Sequence, residues 1–126
     1  MSVNSIQVVT FSSTQALYGV MSIQIAGLYR DSGEPGSDGI VDLVEFVEGA
    51  AAARHRTDNE LVIRSHRGVR YRVPGPVELT EFRLDNFQLI PSLVSKYTED
   101  RAIRVAFAYG DLIGLLVDLD MITVLA

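Results

Sequence analysis

The chain has 126 residues, of which 48% are apolar and 21% charged, with a net charge of -5 and neither cysteine nor tryptophan. That length suits one domain, and the apolar share excludes wholesale disorder. Without cysteine there are no disulfides, no thiolate metal sites and no cysteine nucleophile, and the acidic balance opposes general nucleic-acid binding, which depends on neutralising phosphates with Lys and Arg.

Ile6 to Phe11 (I-Q-V-V-T-F) is β-branched and aromatic and predicts a strand, Ser12 to Gln15 supply polar turn residues, and Ala16 to Val20 resume as the second arm of a hairpin. Ile23 to Arg30 predicts a third strand with Ile23 and Ile25 on one face; Leu28 falls out of that alternation beside Gly27, where a bulge or bend is expected. Asp31 to Gly39 (D-S-G-E-P-G-S-D-G) predicts a loop. Ile40, Leu43, Val44 and Val47 then fall at helical spacing, opposite Asp42, Glu45 and Glu48, which predicts a short amphipathic helix that ends at Gly49 or runs on through Ala53.

After a polar bend from Arg54 to Asn59, Leu61–Arg64 and Val69–Val73 predict a second hairpin around Ser65-His66-Arg67-Gly68. Strict alternation turns Val69, Tyr71 and Val73 to the core and leaves Arg70 and Arg72 on the solvent side. Pro74-Gly75-Pro76 breaks the ladder before a strand over Val77 to Phe82. Ala102 to Tyr109 alternates, Gly110-Asp111 is the turn, and Leu112 to Val117 is apolar throughout, as expected of a strand buried on both faces, with a close approach at Gly114.

Shifting the sequence against itself by fifty-three positions superimposes Val9 on Val62, Tyr18 on Tyr71, Val20 on Val73, Tyr29 on Phe82 and Arg30 on Arg83. At an offset of seventy-six, Ile40-Val41-Asp42-Leu43 echoes Leu116-Val117-Asp118-Leu119. Two similar β-units follow, about 6–53 and about 60–124, the first lacking about two dozen residues of the second.

These segments resemble the chemotaxis coupling-protein family, the CheW-like domain. The resemblance spans nearly the whole chain: V-V-T-F, then Leu17 to Val20 and the strand to Arg30, then Ile40 to Leu43, Phe87 to Pro91, and the terminal hairpin from Arg101 to Ile122. It implies a single mainly β domain over 1–126, of two small intertwined β-barrel subdomains with one or two short helices. The chain departs from the pattern before the Asp-Leu segment, where Glu34 to Gly39 replace a glycine, asparagine and Arg-Gly stretch, and at Pro74-Gly75-Pro76, which replaces a Val-Asp.

No residues gather for chemistry. His55 and His66 stand among arginines with no spaced ligand set, so no metal site is expected. Asp118 and Asp120 fit either a cation pair or, better, an aspartate capping free N–H groups. No G-x-S-x-G elbow or glycine-rich phosphate loop occurs, so neither enzyme activity nor a cofactor is expected. Six arginines (Arg54, Arg56, Arg64, Arg67, Arg70, Arg72) crowd the centre, as a solvated sheet face or as a patch for an acidic partner.

The resemblance implies a non-catalytic adaptor joining a chemoreceptor to the regulatory domain of a histidine kinase. It assigns the receptor-facing strand to Ile23–Leu28, with Ile23, Ile25 and Gly27 as partner-binding residues. A small anion- or ligand-binding β-barrel or enzyme subunit is the alternative, and a divergent homodimer the third reading. Met1 to Ser5 lacks the basic and apolar regions of a secretory leader, and no apolar run approaches the roughly 20 residues of a membrane helix. The cytoplasm is the expected location, without membrane insertion.

Overall fold

A computed structural model describes residues 4–31, 39–49, 59–89 and 103–122. Among these residues, ten strands and one short helix follow in order: β1 (Ser5–Ser12), β2 (Leu17–Met21), β3 (Ile25–Arg30), β4 (Ile40–Asp42), α1 (Leu43–Glu48), β5 (Leu61–Ser65), β6 (Arg70–Val73), β7 (Glu78–Arg83), β8 (Phe87–Leu89), β9 (Ile103–Tyr109) and β10 (Leu112–Val117). Single 3-10 turns stand at Ser22–Gln24, Leu84–Asn86 and Leu119–Met121.

The strands form a six-stranded sheet, β7-β1-β2-β10-β9-β8, and a four-stranded sheet, β3-β5-β6-β4. The hairpin β1–β2 is flanked antiparallel by β7 and parallel by β10. The hairpin β5–β6 is flanked antiparallel by β3 and parallel by β4. Each hairpin is therefore completed by strands from the other half of the sequence, and the two sheets intertwine. Only the six-stranded sheet carries β8 and β9, which arise between β7 and β10; the corresponding stretch between β3 and β4 is far shorter.

The internal similarity holds in order but slips in register. Val9 pairs with Val20, whereas Val73 pairs with Leu61, so Leu61 and not Val62 stands where Val9 does. The echo of I-V-D-L and L-V-D-L is structural: each places an aspartate at or just after the end of a strand, and its carboxylate takes an N–H of the helical turn that follows. Asp42 Oδ1 accepts from Glu45 N (3.0 Å), and Asp118 Oδ1 from Asp120 N (3.0 Å). The helix begins only at Leu43, because Ile40 to Asp42 pair as a strand with Arg70 to Arg72; the helical spacing of Ile40 is therefore incidental. Gly49, at φ +97°, ends the helix in a conformation L side chains rarely adopt, and its N–H reaches Glu45 O. The alternative continuation through Ala53 lies outside the described residues.

One buried cluster draws on both sheets and α1: Phe11, Tyr18 and Val20 meet Ile63, Tyr71, Val73, Leu43 and Val44, with Ile103, Val117, Leu119 and Ile122. A second, of Val8, Phe82, Phe107 and Leu116, lies on the other face of the six-stranded sheet. There the rings of Phe82 on β7 and Phe87 on β8 meet edge-on at 6.0 Å, so the two ends of that sheet curl together. The turn at Gly110-Asp111 joins β9 to β10 as expected, and Phe107 lies over two glycines. A Cβ on Gly114 would fall 2.1 Å from the Phe107 ring, and one on Gly19 would fall 2.6 Å from Val8 and 3.0 Å from the same ring.

β10 is not buried on both faces along its length: Leu112 and Ile113 are exposed at its start, beyond its pairing with β2, and burial sets in from Gly114. A predicted consequence of the Phe107 stack is that Gly114→Ala costs about 1–3 kcal/mol by overpacking, and Phe107→Ala about 3–5 kcal/mol. Urea denaturation of both single variants and the double variant should give strongly non-additive losses, since the two positions are in contact.

Candidate protein-docking surface

Among the described residues, β3 forms one end of the four-stranded sheet and pairs only with β5. Its alternation is interrupted between Ile25 and Gly27, the bulge foreshadowed by Gly27 in the sequence. Ile23 is not part of the strand. It belongs to the 3-10 turn Ser22–Gln24 and is 78% exposed, whereas Ile25 is partly buried against the main core, so the two do not share a face. Gly27 lies under the Arg64 guanidinium, whose nearest nitrogen would be 3.4 Å from an added Cβ.

Gln24, between the two isoleucines, points inward and is buried. Its Nε2 donates to Asp118 Oδ1 at 2.6 Å and, at 3.3 Å, to Asp120 Oδ2, while its Oε1 accepts from Leu119 N at 3.0 Å. Thus the aspartates after β10 serve as caps and as anchors for the turn that presents Ile23. Nothing in the spacing of the sequence marked Gln24: a polar residue between exposed and buried isoleucines reads as the wet side of a strand. Only the distance in sequence of its partners, brought together by the exchange of strands, explains its burial.

The central arginines divide. Arg64 and Arg70 stand opposite each other on β5 and β6, Arg64 exposed and Arg70 half-buried. Arg72 is not on a wet face. It is 2% exposed and its Nε donates to Asp31 Oδ2 at 2.5 Å, with both side chains largely sealed from solvent. A guanidinium sealed from water requires such a partner, since a lone buried charge is prohibitively costly. Arg67, in the β5–β6 turn, donates to the Asp120 carbonyl. Arg54, His55 and Arg56 lie outside the described residues, and His66 is exposed in the turn.

The helix end is tied to the first hairpin. Tyr18 Oη and Ser13 Oγ both donate to Glu48 Oε2, at 2.6 and 2.7 Å. Burial, then the hydrogen bond and charge of Glu48, push the Tyr18 phenol far above its ordinary value near 10. Tyr71 is also raised, by burial first; Arg67 opposes the shift and Asp120 adds to it.

Among the described residues, no three of His, Asp or Glu gather as a metal site, and no helix is long and apolar enough to cross a membrane. Open grooves among the described residues include the following pair. One, of about 410 Å³, lies among Thr10, Leu17, Pro76, Glu78, Tyr109 and Leu112; the other, of about 300 Å³, is floored by Ile6, Met21, Phe87, Val105 and Leu116. Neither gathers a set of converging charged groups.

No protein-family model matches the chain, and no curated protein matches its sequence. Among solved structures, the crystal structure of the scaffolding protein TtCheW from Thermoanaerobacter tengcongensis superimposes with a TM-score of 0.69, covering 90% of this chain and 84% of that one. At 14% identity the likeness is one of fold, and the chain has a divergent CheW-like fold with a shortened first half.

Two outcomes follow from the buried polar groups. Arg72→Ala, which leaves Asp31 without this partner, should cost about 3–5 kcal/mol, whereas Arg72→Met together with Asp31→Leu should recover most of the loss in a denaturant titration. Above about pH 10 the unfolded tyrosines ionise while folded Tyr18 and Tyr71 hold their protons, so the unfolded state binds fewer protons and stability falls as pH rises. Tyr18→Phe should flatten that alkaline slope in melting curves recorded from pH 9 to 11.

Proposed function

We propose that this chain is a non-catalytic adaptor of chemotaxis-type signalling, acting in the cytoplasm and joining a receptor to a histidine kinase through protein–protein contacts. The observation that supports this reading most is the CheW-like fold, shared with a protein described as a scaffold, over most of both chains. Next to it stands a surface suited to contacts rather than chemistry: large aliphatic side chains stand exposed at Ile23 in the turn before β3 and at Leu79, Leu89 and Ile113 on strands at or near their ends.

Interfaces of this kind draw most of their energy from a few apolar anchors within a polar rim. Of the three residues that the resemblance assigns to the receptor-facing strand, Ile23 has the exposure of an anchor. Gly27 lets the Arg64 guanidinium lie across the strand beside it, and Ile25 packs against the core.

The test is a direct titration of the chain against the C-terminal regulatory domain of the host's chemotaxis-type kinase and against the receptor's helical tip. Binding of both is expected, and binding of neither discards the reading. Ile23→Asp should weaken receptor binding by roughly thirtyfold or more, about 2 kcal/mol as for an interface anchor, with an unchanged circular dichroism spectrum. Ile25→Asp should instead lower the melting temperature.

A further inference from the structure

β3 and β7 occupy corresponding places in the two sheets, each at the end of its strand order and each antiparallel to a central hairpin. The two edges are finished differently. On β7, Glu78 and Glu81 are held by side-chain hydrogen bonds from Tyr109 and Ser5, Arg83 is paired with Asp85, and Phe87 of β8 packs beside Phe82. Charges on an edge strand deter further pairing.

β3 has no such protection among the described residues. Its sequence, I-A-G-L-Y-R, carries no acidic residue, Leu28 and Tyr29 are 42% and 43% exposed, and no strand comparable to β8 follows it. Arg30 and Arg64 flank this edge, and neither has an ion-pair partner among the described residues. Gly27 shares a face with Arg64, and Arg30, three residues on, turns to the opposite face. The Asp31 carboxylate that could have neutralised Arg30 is engaged by Arg72.

From this contrast we infer that the free edge of β3 takes up an extended peptide segment, rich in acidic and aliphatic residues, from a protein partner by β-augmentation. Main-chain hydrogen bonds to β3 supply register. Aliphatic side chains of the segment cover Leu28 and Tyr29, and its carboxylates meet Arg64 near one end of the strand and Arg30 at the other. A second copy of this chain is a poor occupant, because β3 against β3 brings the same uncompensated arginines together. The inference rests on the adaptor reading, naming the chemistry of a partner segment at one edge.

The experiment uses the full chain and a fluorescein-labelled octapeptide Glu-Val-Val-Glu-Glu-Val-Val-Glu, which as a strand sets glutamate and valine on both faces, followed by fluorescence anisotropy, with a lysine-for-glutamate peptide as control. Binding of the glutamate peptide only is expected. The double variant Arg30→Glu, Arg64→Glu should weaken it by at least about tenfold, and Arg83→Glu on β7 should leave it unchanged, all three chains keeping the same circular dichroism spectrum. Hydrogen exchange supplies a readout independent of substitution: amides of residues 25–30 should gain protection with the peptide, and those of 78–83 should not. No binding of the glutamate peptide, equal binding of the lysine peptide, equal loss with Arg83→Glu, or self-association that the peptide displaces would each overturn the inference. Run beside the kinase and receptor titrations, the assay separates the two readings: partner binding without peptide binding removes only the edge proposal, whereas loss of both removes the adaptor as well.

Discussion

A β-hairpin presents two rows of unpaired N–H and C=O groups, and in this chain neither hairpin finds the strands that cover those rows within its own half. β1–β2 is closed by β7 and β10, and β5–β6 by β3 and β4. This exchange of hydrogen bonds is the constraint on which the rest depends. It forces the inner faces of the two sheets together, so that Tyr18 and Tyr71 enter one core with Leu43 and Val44 of α1. It also brings the turn before β3 against the end of β10, where Gln24 binds Asp118 and Leu119. Each half buries its apolar face only in the presence of the other, which makes the pair a single cooperative unit rather than two barrels on a string.

The two sheets treat their second faces in opposite ways. The six-stranded sheet curls over an aromatic cluster, and Phe107 fits because Gly19 and Gly114 leave room for its ring. The four-stranded sheet, which among the described residues has no counterparts of β8 and β9, shelters an Arg72–Asp31 ion pair instead. An ion pair of that kind adds less stability than an aliphatic filling of the same volume, but its geometry is demanding, and it fixes the end of β3 against β6. The shortened half thus keeps its strand order while leaving β3 as a long, lightly charged edge.

That asymmetry bears on function more than any cluster of reactive groups does. Buried Gln24 and Arg72, and the hydrogen-bonded Tyr18–Glu48 pair, hold elements in place. What remains at the surface is apolar and cationic around Ile23 and β3, in a chain whose net charge is -5. A local charge opposite in sign to the whole favours one orientation of an approaching molecule, so on the proposed adaptor reading the surface would provide direction as well as contact.

Period-two alternation, turn residues and the two internal echoes were enough to read from the sequence a mainly β fold of two similar units with a trimmed first half. Strand periodicity and aspartate capping are local physics, set by residues within a few positions of each other. Faces were less legible. Arg72 alternates as a solvent-side residue and Leu112 and Ile113 read as core, yet the first is sealed and the others are open, because burial depends on which distant strand lies alongside. The one-residue slip that puts Leu61 in the place of Val9, the inward turn of Gln24 and the separation of Ile23 from Ile25 were decided by tertiary structure alone. Pairing register and sheet curl are set by contacts between residues far apart in the chain, and no local pattern encodes them.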